Sequence, residues 1–261
     1  MIRPKQSLGQ NFLRDENIAR KIIAAVNPKP SDIILEIGPG EGILTKYLVS
    51  SCKRFIAVDV DDRVIRHLRA LYPEGGLEIR HEDFLETDLA AVRSGRAKLR
   101  IVGNIPYNIT TPILFHILDN RQHVRDAVLM MQREVARRLI AGPGTKDYGI
   151  LAVFCRLFAD VAVLFDVSPN CFVPKPRVTS SVVRLELLDR PRYALAQEEF
   201  FRRMVRSVFG KRRKTLRNSL QYFLETIPAL PSRFDLSKRP EELSLDQLVD
   251  LANALAAASR E

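Results

Sequence analysis

The feature that most constrains this chain is a regular alternation of short apolar runs with segments of helical periodicity. Each run is rich in apolar, largely β-branched residues and has the length of a buried strand. Such runs occur at residues 33–37, 55–58, 77–80, 99–102 and 127–131. Strands that alternate with helices are joined by right-handed crossovers, so the pattern predicts an α/β fold with a mostly parallel sheet.

The pattern changes after the helix predicted around residues 150–158. Residues 161–167 and 181–187 are strand-like runs without a helix between them, which predicts an antiparallel pair at one edge of the sheet. Beyond about residue 190 only helical periodicity remains. We therefore expect an α/β domain over residues 1–190 and a small all-helical domain over residues 191–261.

The first apolar run leads into a glycine-rich turn, Gly38-Pro39-Gly40-Glu41-Gly42. A strand, glycines and a helix in this order let the main chain approach a nucleotide closely. The spacing differs from the G-x-G-x-x-G pattern of dinucleotide sites, and Glu36 just before the turn would repel a pyrophosphate. Glu36 suits a cofactor with a cationic amine and no phosphate. The turn therefore indicates S-adenosylmethionine, bound against Gly38 and Gly40.

Two carboxylates follow the next two strands and are placed to bind the same cofactor. Asp59 stands at the end of its strand, about twenty residues beyond the glycines, where a carboxylate takes ribose hydroxyls. Asp83 follows the third strand, where it can accept a hydrogen bond from the adenine amine of the cofactor. The other interpretation of Asp83 is a helix N-cap, a position that Asp fills often.

The fourth run ends in a rigid polar loop, Gly103-Asn104-Ile105-Pro106-Tyr107. Pro106 offers a carbonyl without an N–H, Asn104 adds a side-chain amide, and Tyr107 adds a flat ring. Two acceptors beside an aromatic ring can hold a planar exocyclic amine such as N6 of adenine. The other interpretation is an ordinary strand-to-helix turn, because Asn and Pro are common turn residues.

A proline-stiffened loop between the two edge strands contains Phe172, Lys175 and Arg177. Phe172 is interpreted either as a core residue or as a second stacking surface for a base. In the second interpretation the two cations would follow a phosphate backbone.

Positive charge is concentrated in one later segment. The formal net charge of +10 favours an acidic partner, with nucleic acid ahead of an anionic membrane surface. Residues 202–217 contain eight cations and no acid, which is explained either by a solvated helix face or, better, by phosphate contacts. The residues expected to bind RNA are Lys175, Arg177, Arg206, Lys211, Arg212, Arg213, Lys214 and Arg217.

Five motifs, taken in order, resemble those of the KsgA-type small-subunit ribosomal RNA adenine dimethyltransferases. They are Gln-Asn-Phe-Leu at 10–13, Glu-Ile-Gly-Pro-Gly-Glu-Gly at 36–42, Asn-Ile-Pro-Tyr at 104–107, Phe-Val-Pro-Lys-Pro at 172–176 and Arg-Arg-Lys-Thr-Leu-Arg-Asn-Ser-Leu at 212–220. The resemblance covers nearly the whole chain. It implies a class I (Rossmann-like) methyltransferase domain with a seven-stranded sheet and a small helical RNA-binding domain.

The resemblance also implies an activity. Two methyl groups would be added to N6 of each of two adjacent adenosines in the 3′-terminal hairpin of 16S rRNA, with a role in small-subunit assembly. One departure from the family pattern is Asp59, where relatives usually have Glu. By position, the implied cofactor contacts fall on Asn11, Leu13, Gly38, Asp59, Asp83 and Asn104.

The residues suggest how such a transfer would occur. The Asn104 oxygen and the Pro106 carbonyl would accept the hydrogens of the amine and free its lone pair for attack on the sulfonium methyl. Tyr107 and Phe172 would sandwich the base. The reaction would leave S-adenosylhomocysteine and needs no metal.

Other functions remain open at this point. One is methylation of adenine N6 in large-subunit rRNA or DNA, and another is a non-catalytic ribosome-assembly factor with the same fold. A dehydrogenase is disfavoured by the glycine spacing.

The cysteines and the apolar runs indicate the cellular compartment in which the protein is expected. Three scattered cysteines without metal-ligand spacing predict a reducing environment and no disulfide framework. The apolar run at 22–26 is too short for a signal peptide, and no later run is long enough to span a bilayer. We expect a cytoplasmic monomer that binds the small ribosomal subunit and neither a membrane nor a metal.

Overall fold

The computed structural model describes residues 2–5, 8–73, 76–93, 95–211, 214–224, 227 and 230–258. The chain divides into two compact units. The first comprises Met1–Ala136 and Ala159–Asp189, and the second comprises Arg137–Phe158 and Arg190–Glu261. The second unit thus includes residues 137–158, which the sequence pattern placed with residues 1–190. The assignment of separate catalytic and RNA-binding roles to two domains stays a prediction.

The first unit is built on a seven-stranded sheet and a separate two-stranded sheet. Its strands are β1 (Phe12–Leu13), β2 (Ile33–Ile37), β3 (Arg54–Asp59), β4 (Glu78–His81), β5 (Leu99–Asn104), β6 (Val124–Gln132), β7 (Ala159–Val167), β8 (Phe172–Val173) and β9 (Ser180–Leu187). The large sheet has the order β4-β3-β2-β5-β6-β9-β7. The first five strands in this order, from β4 through β3, β2 and β5 to β6, are parallel to one another. Strand β9 is antiparallel to both β6 and β7. The predicted α/β fold with an antiparallel edge pair is confirmed.

The helices follow the strands as the periodicity predicted. In the first unit they are α1 (Glu16–Val26), α2 (Thr45–Leu48), α3 (Asp62–Leu71), α4 (Leu89–Val92) and α5 (Thr110–Asp119), and α6 (Arg133–Ile140) contains the division between the units. In the second unit they are α7 (Ile150–Phe158), α8 (Glu198–Phe209), α9 (Leu216–Leu220) and α10 (Leu245–Ala258). Within the described part of the chain, none of these helices is both long and apolar enough to cross a membrane.

Helix α1 begins where its sequence predicts. The Asp15 side chain accepts hydrogen bonds from the main-chain N–H groups of Asn17 (2.8 Å) and Ile18 (3.1 Å), which satisfies two donors that a helix start leaves unpaired. Helix α2 begins only at Thr45, because the residues after the glycines form turns.

The carboxyl ends of β2 and β5 lie unusually close together. A Cβ atom on Gly103 would lie 2.6 Å from the Ile37 carbonyl oxygen, so only glycine fits at this point of β5. Ile37 and Gly103 are register partners in the two parallel strands. The close approach places Gly38, just after β2, beside Asn104 at the end of β5.

The small sheet ties the start of the chain to the proline-rich loop. Strands β1 and β8 are antiparallel, with Phe12 opposite Val173 and Leu13 opposite Phe172. This pairing joins two segments about 160 residues apart, a distance that no local sequence pattern encodes.

Candidate active site

A cavity in the first unit lies at the carboxyl ends of the parallel strands, where ligands of open α/β sheets bind. It is lined by residues 8–12, 37, 38, 40, 58–60, 82–84 and 104–109. The structure therefore brings the glycine turn, both predicted carboxylates and the Asn-Ile-Pro-Tyr loop to one place. It also adds the opening segment, which we define as residues 8–12, as a wall of the cavity.

The charges that line the cavity are all negative. Asp59, Glu82 and Asp83 contribute three carboxyl groups, and none of the described residues that line it is Lys, Arg or His. Such a lining favours a ligand with positive charge and disfavours a pyrophosphate. The residues present therefore fit S-adenosylmethionine, a cofactor with a sulfonium, an ammonium and no phosphate.

Asp59 occupies the position expected for a ribose contact. Its Oδ1 accepts a hydrogen bond from the main-chain N–H of Asp61 at 2.8 Å. Burial is the main reason that the pKa of Asp59 is raised to about 6, and the nearby charge of Asp61 acts in the same direction. The carboxyl group is thus poised to change protonation near neutral pH.

Asp83 is an N-cap, and its predicted contact with the cofactor stays a prediction that its position allows. Its Oδ1 accepts a hydrogen bond from the N–H of Leu85 at 2.9 Å and so caps the short 3-10 helix Phe84–Glu86. The same residue lines the cavity. Capping fixes the carboxylate at the edge of the cavity.

The glycines and Asn11 complete this half of the cavity. Gly38, Gly40 and Asn11 all line it, and their contacts with a cofactor stay predictions. A Cβ atom on Gly40 would lie 2.8 Å from the Phe12 ring, so glycine is required for the turn to pass this ring.

Glu36 lies outside the cavity, contrary to its predicted contact with a cationic amine. Only 2% of the residue is exposed, and its Oε2 accepts a hydrogen bond from the Thr45 hydroxyl at 2.6 Å. Burial, together with the charge of Asp59, raises the pKa of Glu36 to about 7. Because side chains alternate along a strand, Glu36 and the cavity-lining Ile37 point to opposite faces of β2.

Leu13 and Phe172 also lie outside the cavity. They are 4% and 3% exposed and belong to one hydrophobic cluster of the first unit. Their position opposite each other in the small sheet explains this burial. The structure therefore favours the core interpretation of Phe172 over the stacking surface, and it places Leu13 in the same hydrophobic cluster.

The two predicted acceptors for an adenine amine differ in availability. The Asn104 Nδ2 donates to the Asn11 carbonyl at 2.8 Å, which leaves Oδ1 as the acceptor of that amide. The Pro106 carbonyl, in contrast, already accepts from the Thr110 hydroxyl (3.0 Å) and from the Ile109 N–H (3.3 Å). These contacts argue against the role predicted for Pro106.

The preceding carbonyl, that of Ile105, is the better candidate. Ile105 lines the cavity, and no donor among the described residues contacts its carbonyl oxygen. Its N–H donates to the Met130 carbonyl at 3.1 Å, which fixes the peptide beside β6. Sequence reasoning missed Ile105 because the availability of a carbonyl depends on which donors the next helix supplies.

Tyr107 lies where a stacking residue was predicted. It lines the cavity, and its hydroxyl lies 2.6 Å from the Ser180 Oγ at the start of β9. Burial raises the pKa of the Tyr107 phenol, so it stays protonated at neutral pH. No motif in the sequence indicated that Ser180 would form a hydrogen bond with Tyr107.

The predicted RNA-binding cations occupy exposed positions in each unit. Lys175 and Arg177 are exposed on the proline loop of the first unit. In the second unit Arg206, Lys211, Lys214 and Arg217 are exposed, while Arg212 and Arg213 lie outside the described residues.

Arg202, one of the eight cations at residues 202–217, is buried and does not belong to this exposed set. Arg202 is 7% exposed, pairs with Glu198 (3.0 Å) and lies over the Phe158 ring at 4.8 Å from its centroid. Its charge is therefore satisfied inside the helical unit. As for metals, the described residues contain no cluster of three or more His, Cys, Asp or Glu side chains that could hold one.

The sheet order and the acidic cavity at its carboxyl edge define a Rossmann-like methyltransferase. Two solved structures of this class superimpose over most of the chain. A dimethyladenosine transferase from Plasmodium falciparum has a TM-score of 0.76 and 29% identity, covering 92% of this chain and 95% of that one. The 23S rRNA methyltransferase ErmE has a TM-score of 0.63 and 26% identity, covering 94% and 100%.

The chain belongs to the ribosomal RNA adenine dimethylase family, whose family model matches residues 1–256. A relative from Chlorobium phaeobacteroides (strain BS1), named ribosomal RNA small subunit methyltransferase A, is 45% identical over 251 residues, which cover 96% of this chain and 93% of the relative. A protein of the same name from Geobacter metallireducens (strain ATCC 53774 / DSM 7210 / GS-15) is 41% identical, with 98% and 97% covered. The resemblance stated from the motifs is confirmed.

Proposed function

We propose that this chain is an S-adenosylmethionine-dependent enzyme that dimethylates N6 of two adjacent adenosines in the 3′-terminal hairpin of 16S rRNA. The observation that carries the proposal is the cavity itself. It combines a lining whose charged residues are all acidic with two oxygen acceptors, on Asn104 and Ile105, beside the Tyr107 ring. Membership of the family and relatives named for the small subunit support the substrate.

One half of the cavity would hold the cofactor. When bound, S-adenosylmethionine supplies a methyl group carried on a positively charged sulfur. Asp59 would accept hydrogen bonds from the ribose hydroxyls, and Asp83 would accept one from the adenine amine of the cofactor. Gly38 and Gly40 leave room for the ligand because they carry no side chain.

The other half would hold the target adenine. Its N6 lone pair is delocalised into the ring, so the amine is a poor nucleophile. The Asn104 Oδ1 and the Ile105 carbonyl would each accept one N6 hydrogen and draw the nitrogen towards tetrahedral geometry. Such positioning can lower a barrier by roughly 7–11 kcal/mol in well-oriented systems. The amine would take up the methyl group that bound S-adenosylmethionine supplies, S-adenosylhomocysteine would be the leaving group, and the nitrogen would then lose one proton to solvent.

This pair of acceptors is compatible with two successive transfers. Adenine N6 carries two hydrogens for two acceptors, the monomethylated amine keeps one, and the dimethylated product has none. Each methylation therefore removes one hydrogen bond from the bound base, which favours release of the finished product.

The exposed cations are proposed to contact the phosphates of the small subunit. Lys175 and Arg177 lie in the same unit as the cavity, and Lys211, Lys214 and Arg217 lie in the helical unit. The cytoplasmic location, the monomeric state and the assembly role stay predictions.

Mass spectrometry of rRNA nucleosides tests the proposed function directly. Purified protein is incubated with S-adenosylmethionine and small subunits that lack the modification, and the RNA is digested to nucleosides. We expect N6,N6-dimethyladenosine at two sites per subunit, formed at least about 100-fold more slowly with Asn104→Ala. Parallel incubations with large subunits and naked DNA address the other substrates. Transfer only to those substrates, or to none, would reject the proposal.

A further inference from the structure

The opening segment contacts the Asn-Ile-Pro-Tyr loop at the side-chain amide of Asn104. The Asn104 side-chain amide has a donor end and an acceptor end that differ only by a half-turn about one bond. With Oδ1 towards the adenine amine, the amide accepts a hydrogen. After a half-turn the same position would present an NH2 group to another NH2 group, and the interaction would be lost.

We propose that the main-chain carbonyl of Asn11 selects the productive orientation of the Asn104 amide. Nδ2 of Asn104 donates to this carbonyl at 2.8 Å, across 93 residues of sequence. Because only the NH2 end of an amide can donate, the bond assigns Oδ1 to accept from the substrate. Asn11 acts here as a positioning residue, and the inference rests on the proposed function of Asn104.

The Asn11 carbonyl is itself held from both sides. On one side, β1 pairs with β8, and the Arg14 N–H donates to the Cys171 carbonyl at 2.8 Å. On the other, the Asn11 side chain donates to the Gly9 carbonyl at 3.2 Å, and Gln10 Nε2 donates to Asp61 at 3.0 Å. The carbonyl is therefore a fixed reference for the amide and not a chance contact of a loose segment.

Gly9 offers a way to displace the Asn11 carbonyl without replacing Asn11 or Asn104, although Gly9 itself lines the cavity. Its φ is +63°, a left-handed conformation that favours glycine, and a Cβ there would lie 2.5 Å from the Asn108 Oδ1. Gly95 is a matched control, because it has a φ of +58° and no atom within 4 Å of its ideal Cβ. The Asn108 side chain can move away, so we expect the strained φ to shift the opening segment in Gly9→Ala, whereas Gly95→Ala imposes the same backbone strain elsewhere in the same unit.

The experiment combines Gly9→Ala with Asn104→Ser in a double-mutant cycle. We expect Gly9→Ala to lower kcat about tenfold or more in the otherwise wild-type protein, with a smaller change in KM for RNA. In the Asn104→Ser background the same change should lower kcat less than about twofold, because no amide remains to be oriented. Gly95→Ala should leave kcat unchanged in both backgrounds. Equal losses from Gly9→Ala in the two backgrounds would overturn the proposal and leave only a structural role for the segment.

A readout that is independent of activity completes the test. The side-chain NH2 signals of Asn104 in a 15N NMR spectrum can be assigned by their absence from the spectrum of Asn104→Ser. We expect Gly9→Ala to shift them and to speed their exchange with water, and Gly9→Asn, which tolerates a left-handed φ better, serves if the alanine variant does not fold. Unchanged Asn104 signals in a folded Gly9 variant would reject the positioning role. If the wild-type protein does not methylate rRNA at all, the proposed function fails, whereas these signals still report on the Asn11 contact.

Discussion

The Tyr107 hydroxyl lies 2.6 Å from the Ser180 Oγ, so the far edge of the ring is fixed to the first residue of β9. The ring follows an extended Ile-Pro pair at the end of β5. A side chain that is held at both ends loses little conformational freedom when a base stacks on it. The antiparallel strand β9 thus has a direct part in shaping the substrate half of the cavity.

Substitutions at Tyr107 separate the ring from its hydroxyl. Tyr107→Ala should weaken transition-state binding by roughly 1–3 kcal/mol, the value of one stacking interaction, measured as kcat/KM for small subunits. Tyr107→Phe keeps the ring and removes only the hydrogen bond to Ser180, so its kcat/KM should fall less. A phenylalanine variant as impaired as the alanine variant would show that the hydroxyl matters more than stacking.

Asn104→Ala should separate chemistry from cofactor binding. Removing one positioned hydrogen-bonding group typically lowers kcat by about 10²–10³-fold, and we expect a decrease of that order. The affinity for S-adenosylhomocysteine, measured by calorimetry, should change little in comparison. Asn17→Ala, at an exposed amide in α1, is the control and should leave both quantities unchanged. Full activity of Asn104→Ala would remove the proposed mechanism.

Cofactor affinity should depend on pH through Asp59. Burial raises the pKa of this carboxyl to about 6, and the ionised form is the better acceptor for ribose hydroxyls. Affinity for S-adenosylhomocysteine should therefore rise as pH rises through 6. At one pH unit below the pKa about a tenth of the groups are ionised, so the affinity should fall by up to ~10-fold there.

Asp59→Asn is the control for that dependence, because its amide does not titrate. Calorimetric titrations between about pH 5 and about 8 should show a flat, weakened affinity in this variant. A wild-type slope that persists in Asp59→Asn would assign the dependence to another group, such as the buried Glu36, whose pKa is raised to about 7.

The basic surface of the helical unit should contribute to RNA affinity through phosphates. Replacing Lys211, Lys214 and Arg217 by Ala should weaken binding to small-subunit RNA. It should also reduce the slope of log affinity against log salt by roughly 0.7–0.9 for each phosphate that the variant no longer neutralises. Arg69→Ala, at an exposed cation of α3, should not change the slope. An unchanged slope in the triple variant would assign that segment to a solvated helix face.

Stability should depend strongly on Arg100, a buried cation in the first unit. Its guanidinium lies 2.8 Å from Asp32 and 2.7 Å from Asp126, and it also donates to the Val26 carbonyl at the end of α1. Arg100→Met leaves two carboxylates without this partner, so the free energy of unfolding should fall by roughly 3–5 kcal/mol.

Arg125→Met is the matched control, because Arg125 also pairs with Asp32 (3.2 Å) but its side chain is 52% exposed. We expect it to lower the free energy of unfolding by less than about 1 kcal/mol in urea denaturation. Similar decreases for the two variants would mean that the burial of Arg100 adds nothing.

Much of the fold was predictable because it follows from local pattern. Apolar runs marked the strands of the large sheet, and Asp15 marked the start of α1. The same patterns placed Asp59, Asp83 and Asn104 at strand ends, and the carboxyl ends of parallel strands share one edge. The location of the cavity was therefore predictable from the sequence.

The identity of the contacting atoms was less predictable. Glu36 had the right neighbours in sequence but lies on the wrong face of β2. Pro106 had the right chemistry, but Thr110 and Ile109 already occupy its carbonyl. In both cases the hydrogen-bond donor belongs to a residue that follows the motif: Thr45 donates to Glu36, and Thr110 and Ile109 donate to Pro106. Which donors reach the motif depends on how the chain turns after it.

The sequence by itself determined the class of fold, the family and the set of residues from which the site is built. These depend on periodicity and on short motifs, which are local properties of the chain. Only the tertiary structure decided which oxygen atoms are free to accept a hydrogen and which way the Asn104 amide points. The physical reason is that hydrogen-bonding capacity is shared among neighbours in space. The neighbour that orients Asn104 is Asn11, which lies 93 residues away in sequence.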